Sequence, residues 1–282
     1  MIEDSERKLR VKINSAADGP YKLEVSPLIK SKFIGKSYVY LESVDSTSSY
    51  LGSMDPDKAV HGAVVAADRQ TAGRGRMQNT WYSPPGTNLY FSILLRPEIV
   101  PLKAPQLTLV TAAALMKVFN QHYSGLHPTV KWPNDILVKG RKLAGILCEM
   151  QTEEDRVSRV IIGIGINVNS ESESFPVELR ERAISLRDAT GATSSRQVLI
   201  ASILTELEKC YELWLQKGLS PFMKILENNS ATRDSEIIAV MHNREVSGIA
   251  RGISGEGYLM IETPDGLIQL PAGEVHLKKR EI

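Results

Sequence analysis

Hydrophobic positions along the chain follow two periods. Tyr38-Val39-Tyr40-Leu41, Ala63-Val64-Val65-Ala66-Ala67 and Leu89-Tyr90-Phe91-Ser92-Ile93-Leu94-Leu95 are short apolar runs bounded by polar or turn-forming residues, and they predict strands. Leu107 to Tyr123 instead sets Leu109, Val110, Ala113, Val118 and Phe119 at spacings suited to a helix packed on one sheet face. Strand-like runs return at 135–138, 143–150 and 160–168. Val198 to Trp214 then places Ile200, Ile203, Leu204, Leu207, Tyr211 and Trp214 on one helical face, with Thr193, Ser194 and Ser195 upstream as capping residues. Strands, one long helix and more strands, in that order, predict an α+β fold with a mixed or antiparallel sheet.

Past Pro221 and a short helical stretch to Asn229 the pattern changes. Gly255-Glu256-Gly257 and Pro264-Asp265-Gly266 separate strand-like runs at 246–253, 258–262 and 267–270, the signature of consecutive hairpins. The expected organisation is an N-terminal extension at 1–36, too short for a domain, a main domain at 37–232 and a small all-β domain at 233–282.

Composition narrows the function classes. The chain has 282 residues, 42% hydrophobic and 24% charged, enough to bury a full core. A formal charge of +1 advertises neither nucleic acid nor membrane, so any anion site must be local. Two cysteines, Cys148 and Cys210, form no disulfide framework, and the five histidines show no ligand spacing, so no resident metal is expected. A charged N-terminus without an apolar signal core and the lack of a 20-residue apolar run point to a cytoplasmic protein.

Two nucleotide signatures fail on inspection. Gly35-Lys36-Ser37 ends like a P-loop, but the first glycine would fall on Lys30; Gly163-Ile164-Gly165 begins like a dinucleotide fingerprint, but the third glycine would fall on Val168. More informative is Gly73-Arg74-Gly75-Arg76, with Trp81 behind it, set between two predicted strands. Its glycines let the backbone approach a ligand, and its arginines offer planar donors to carboxylate or phosphate. Lys131-Trp132-Pro133-Asn134-Asp135 adds a lysine, an amide and a carboxylate within five residues, shortly before Lys142-Leu143-Ala144-Gly145. Asp45-Ser46-Thr47-Ser48 supplies capping oxygens at a strand-to-helix junction.

These segments, together with Gly163-Ile164-Gly165-Ile166-Asn167-Val168-Asn169 and Gly273-Glu274-Val275-His276-Leu277-Lys278, occur in an order that resembles the biotin protein ligases, from about residue 37 to the end. The resemblance implies a catalytic domain of the biotin/lipoate ligase type followed by a small C-terminal β-barrel. It implies ligation of biotin, through biotinyl-5'-adenylate made from ATP with Mg²⁺, to a lysine of a biotin carboxyl carrier protein, acetyl-CoA carboxylase being the expected case.

By the same resemblance, Ser46, Thr47, Ser48, Gln70 and Gly75 bind biotin, and Arg74, Arg76 and Lys131 bind it and act in catalysis. Trp81, Asn134, Asp135, Asn167 and Lys278 lie on the nucleotide side, with Mg²⁺ transient near Asp135. The chain departs from the family where an arginine-glycine-arginine run is replaced by Met77-Gln78-Asn79, which implies an altered lid; Ser48 and Lys278 also replace the usual asparagine and arginine. Only about 36 residues precede the catalytic region, without the two helices of a winged-helix DNA-binding domain, so a monofunctional enzyme with no nucleic-acid partner is expected. A homodimer through a sheet edge is compatible with this reading. The alternatives are a non-catalytic regulator responding to biotinyl adenylate, and a lipoate or octanoate transferase on the same catalytic fold.

Overall fold

The computed structural model describes residues 18–55, 58–241, 244–271 and 273–277. Seven strands form the larger sheet: β1 (Tyr38–Val44), β2 (Val64–Gln70), β3 (Leu89–Leu95), β4 (Thr129–Lys131), β5 (Asp135–Val138), β6 (Arg141–Glu153) and β7 (Arg156–Ile166). Their order is β1-β2-β3-β7-β6-β5-β4, with β1 and β2 parallel and every other neighbouring pair antiparallel. The expected mixed sheet of an α+β protein is therefore present. The pattern of the sequence did not single out β4, which is three residues long.

The helices are α1 (Lys22–Val25), α2 (Thr47–Ser53), α3 (Gln106–His122), α4 (Val177–Arg180), α5 (Leu186–Thr190), α6 (Arg196–Lys217) and α7 (Met223–Asn228). Ser46 caps α2 and Ser195 caps α6, each side chain accepting a backbone N–H of the first turn. Among the described residues, no helix is long and apolar enough to cross a membrane.

Strand periodicity assigns the two faces. On β3, Leu89, Phe91, Ile93 and Leu95 join a core with α3 and α6, whereas Leu94 joins Leu51 of α2, Val65 and Ile161 on the opposite face. All seven β3 residues are buried because both faces are covered. The same alternation gives Ile162, Ile164 and Ile166 of β7 to the α3/α6 core, leaving positions 161, 163 and 165 on the α2 face.

The second sheet contains β8 (Glu236–Met241), β9 (Arg244–Ile253), β10 (Leu259–Thr263), β11 (Gly266–Leu270) and β12 (Glu274–Leu277). It is antiparallel throughout, in the order β11-β10-β9-β8-β12. The expected hairpins are its centre; β8 and β12 complete it. Its inward residues Ile237, Ala250, Leu259, Ile261 and Val275 belong to the same hydrophobic cluster as α3 and β3, so the two sheets share one core. Trp132 strengthens this junction: it is buried, and its indole N–H donates to Gly257 O at 3.0 Å.

Residues 18–36 are held against α6. The buried Glu208 carboxylate accepts the backbone N–H groups of Phe33 and Ile34, each at 2.8 Å, and that of Lys32. Asp18 accepts the Arg196 N–H, while the fully buried Arg196 guanidinium pairs with Asp68 at 2.9 Å. A buried carboxylate is stable here because several N–H donors replace its lost water.

Candidate active site

A cavity opens on the α2 face of the larger sheet, where glycines interrupt the apolar cover. Gly145 of β6 faces Gly165 of β7 across the ladder, and Leu147 faces Gly163. A Cβ at Gly145 would come 2.8 Å from the Trp81 indole, one at Gly165 would overlap that ring, and one at Gly163 would meet Ser48 Oγ at 2.6 Å. The glycines that fail as a dinucleotide fingerprint therefore form a floor on which Trp81 and Ser48 rest. Gly165→Ala is expected to displace the Trp81 indole from this floor, which a changed tryptophan fluorescence spectrum checks.

The N-terminus of α2 supplies one wall. Ser46, Thr47 and Ser48 are buried and line the cavity beside Gln70, the last residue of β2. Gln70 Oε1 accepts the Thr47 backbone N–H at 2.9 Å and its hydroxyl at 3.2 Å. This wall can both give and receive hydrogen bonds.

The glycine-arginine loop forms the next wall, anchored by the paired bridge between Arg74 and Thr80. Arg74 pairs with Glu149 and donates to Ser49 Oγ at 3.4 Å. Arg76 reaches across the molecule, donating to Asn134 Oδ1 at 3.2 Å and to Gly273 O at 2.9 Å, just before β12. Met77 and Gln78 hold left-handed conformations, φ 50° and 63°, which are strained for residues with side chains. Gln78 occupies a position that carries glycine in the family pattern, so here the loop adopts a glycine conformation without glycine.

The opposite wall is Lys131, Pro133, Asn134 and Asp135, between β4 and β5. Asn134 Nδ2 donates to Ile146 O at 3.1 Å, which locks the amide so that its oxygen receives Arg76. Lys131 has no ion-pair partner among the described residues.

Lys142 was not among the residues assigned from the sequence, yet it lines the same cavity. Its ammonium is 2.7 Å from Asp135 Oδ1 and 5.2 Å from the Trp81 ring centroid. The Asp135 contact is a close ion pair, not an aligned hydrogen bond. The spacing Lys142-Leu143-Ala144-Gly145 was the available signal; only the β5–β6 pairing shows that it brings this side chain back to Asp135. The Trp81 indole N–H is buried and makes no hydrogen bond among the described residues.

Asn167 does not line the cavity: it is buried beyond the end of β7, and its amide donates to Lys142 O and Ile184 O, each at 3.2 Å. Its observed contacts are those of a strand-end pin. Lys278 lies outside the described residues, and Val275 of β12 is the residue of the smaller sheet that reaches the cavity.

Among the described residues the lining contains four cations, Arg74, Arg76, Lys131 and Lys142, against one carboxylate, Asp135, with Glu149 paired to Arg74 beside it. That local excess, in a chain of charge +1, suits a reaction that brings anionic groups together. Residues 40–167 match the Biotin/lipoate A/B protein ligase family and residues 234–278 match the Biotin protein ligase C terminal domain. The bifunctional ligase/repressor BirA of Bacillus spizizenii is 39% identical over 261 residues, covering 92% of this chain and 80% of that protein.

The chain belongs to the biotin protein ligase family. It is a ligase enzyme, with a biotin–[acetyl-CoA-carboxylase] ligase of Paracoccus denitrificans among its relatives, 31% identical and covering 83% of this chain and 98% of the relative. The biotin protein ligase of Aquifex aeolicus, solved in complex with biotin and ATP, superposes with a TM-score of 0.75 at 30% identity, covering 86% of this chain and 99% of that one. The cavity lies where the Asp45-Ser46-Thr47, glycine-arginine and Lys131–Asp135 segments converge.

Proposed function

We propose that this enzyme joins biotin to ATP as biotinyl-5'-adenylate and then transfers the biotinyl group to a lysine of a biotin carboxyl carrier protein. The observation that carries this reading is the single cavity in which a hydroxyl and amide wall meets four cations. Hydroxyl and amide groups suit a ureido ring, which donates and accepts, better than the aliphatic chain of a lipoate or octanoate substrate.

In the first step a biotin carboxylate oxygen attacks the α-phosphorus and pyrophosphate leaves. Lys131, Lys142, Arg74 and Arg76 offset the charge that this approach concentrates. In the second step a neutral carrier amine attacks the adenylate carbonyl, AMP leaves, and the amine loses its proton. No histidine lines the cavity among the described residues; the chain's contribution is charge and orientation.

Ser46, Thr47, Ser48, Gln70 and Gly75 hold biotin in this reading, while Trp81, Asn134 and Asp135 hold the nucleotide. Asp135 and Asn134 would lie beside Mg²⁺ brought with ATP, which would supply neutralising charge to the phosphate oxygens. One carboxylate, Asp135, beside the Asn134 amide fits an ion that keeps most of its waters and phosphate ligands; among the described residues no group of three or more metal-binding side chains forms a cage.

The test is incubation with biotin, ATP, Mg²⁺ and an apo-carrier domain, followed by intact-mass measurement. One biotinyl adduct on the carrier is expected, and its absence overturns the reading. The BirA relatives, named as ligase/repressors, favour a second reading in which adenylate binding is coupled to DNA. Biotin-operon promoter DNA added with biotin and ATP separates the two: a sequence-dependent mobility shift supports the repressor role.

A further inference from the structure

We propose that Ser92 is a positioning residue that fixes the hydroxyls of Thr47 and Ser48 as hydrogen-bond acceptors facing the ring N–H groups of the substrate. This rests on the biotin reading above. Ser92 lies on β3, on the same face as Leu94, and is fully buried beneath the N-terminus of α2. Its Oγ is 2.7 Å from Thr47 Oγ1 and 2.9 Å from Ser48 Oγ. Hydroxyl hydrogens can be oriented either way in isolation, but this chain of bonds has an anchored end.

The anchor is backbone. Thr47 N–H can only donate, so the Gln70 atom 2.9 Å away is the amide oxygen, and the Gln70 nitrogen faces Ser83 Oγ at 3.0 Å. Ser83 in turn gives its hydrogen to Trp81 O at 2.9 Å. Thr47 therefore donates its hydroxyl hydrogen to Gln70 Oε1 at 3.2 Å. Its remaining bond to Ser92 must be one that it accepts, so Ser92 donates to Thr47. Ser92 has then spent its only hydrogen and accepts from Ser48.

The consequence reaches the cavity. Thr47 and Ser48 both keep lone pairs free while their hydrogens point away, and Gln70 keeps a second amide hydrogen as a donor. A cyclic urea brings ring N–H donors and one carbonyl acceptor to such a wall. A ring that places an oxygen where an N–H is wanted meets lone pair against lone pair. Selectivity for a urea over its carbamate analogue is thus set by Ser92, which touches no substrate.

The experiment compares pyrophosphate release from biotin and from its cyclic carbamate analogue, with one ring N–H replaced by oxygen. Wild type is expected to favour biotin strongly in kcat/KM. Ser92→Ala leaves Ser48 free to turn its hydrogen into the cavity, so KM for biotin should rise about tenfold with kcat within about twofold, and the preference over the carbamate should fall by about tenfold. Ser92→Cys, a weaker donor of similar shape, should fall between the two, and it serves as the readout if the alanine variant fails to fold. A general loosening of the site would weaken both ligands alike and leave their ratio unchanged, which would overturn the proposal. Absence of pyrophosphate release from wild type with biotin would overturn the underlying reading as well.

Discussion

Replacing Lys131 or Lys142 with alanine is expected to slow pyrophosphate release by about 10²- to 10³-fold, the loss typical when a preorganised group is removed from developing charge. Lys131 lines the cavity without an ion-pair partner among the described residues, so its charge is available to an incoming anion. Lys142 starts from a different position, beside the Asp135 carboxylate and over the Trp81 ring. Two unit charges 4 Å apart interact by about 4 kcal/mol at an effective dielectric constant of 20, so losing either cation leaves the carboxylate and α-phosphate poorly shielded. Single-turnover measurement of pyrophosphate, with biotin and ATP saturating, isolates this step from carrier transfer. Normal release by the Lys131 variant would remove that residue from the chemistry and leave Lys142 as the acting cation. Asp135→Asn provides the converse: an unpaired Lys142 would bind anions at least as well, provided that Asp135 serves only as its partner.

The second large effect is expected at Arg76. Its guanidinium ties the glycine-arginine loop both to Asn134 and to Gly273, the residue before β12. Each hydrogen bond from a charged group is worth about 1.5–3 kcal/mol, so Arg76→Gly should open the loop and raise the ratio of free adenylate to labelled carrier by at least tenfold. Chromatography of the released nucleotide against carrier mass measures that ratio directly. An unchanged ratio would mean that the loop retains adenylate by other contacts. The strained Met77 and Gln78 bear on the same step, because Gln78→Gly removes a left-handed conformation from a residue with a side chain. Its expected effect is slower escape of adenylate, opposite in sign to that of Arg76→Gly.

Much of the architecture could be read from periodicity. The short apolar run at 89–95 predicted a strand, and β3 occupies those residues; the helical spacing after Leu107 became α3 within one residue at each end. Such elements bury their own side chains in a regular pattern, so local sequence carries the information. β4 escaped because three residues are too few for a period, and it exists only by pairing with β5. The site residues taken from the motifs divide in the same way. Ser46, Gln70, Arg74 and Lys131 come from separate segments and do meet at one cavity. Asn167 belongs to an equally diagnostic motif, yet its amide is consumed inside the strand-end network.

Six motifs in order, the glycine-arginine loop and the capping serines among them, were enough by themselves to suggest the family and to nominate most of the polar residues that line the cavity. These are properties of single segments, legible because backbone freedom and side-chain charge belong to the residue that carries them. Tertiary structure alone decided which charges face one another and which way the hydroxyl hydrogens run. Lys142 meets Asp135 through strand register, Arg76 reaches Gly273 across 197 positions, and Ser92 contacts Thr47 only because β3 lies under α2. Hydrogen bonds and ion pairs act over a few ångströms in space without regard to separation along the chain, so the chemistry of this site is written in contacts that no local pattern contains.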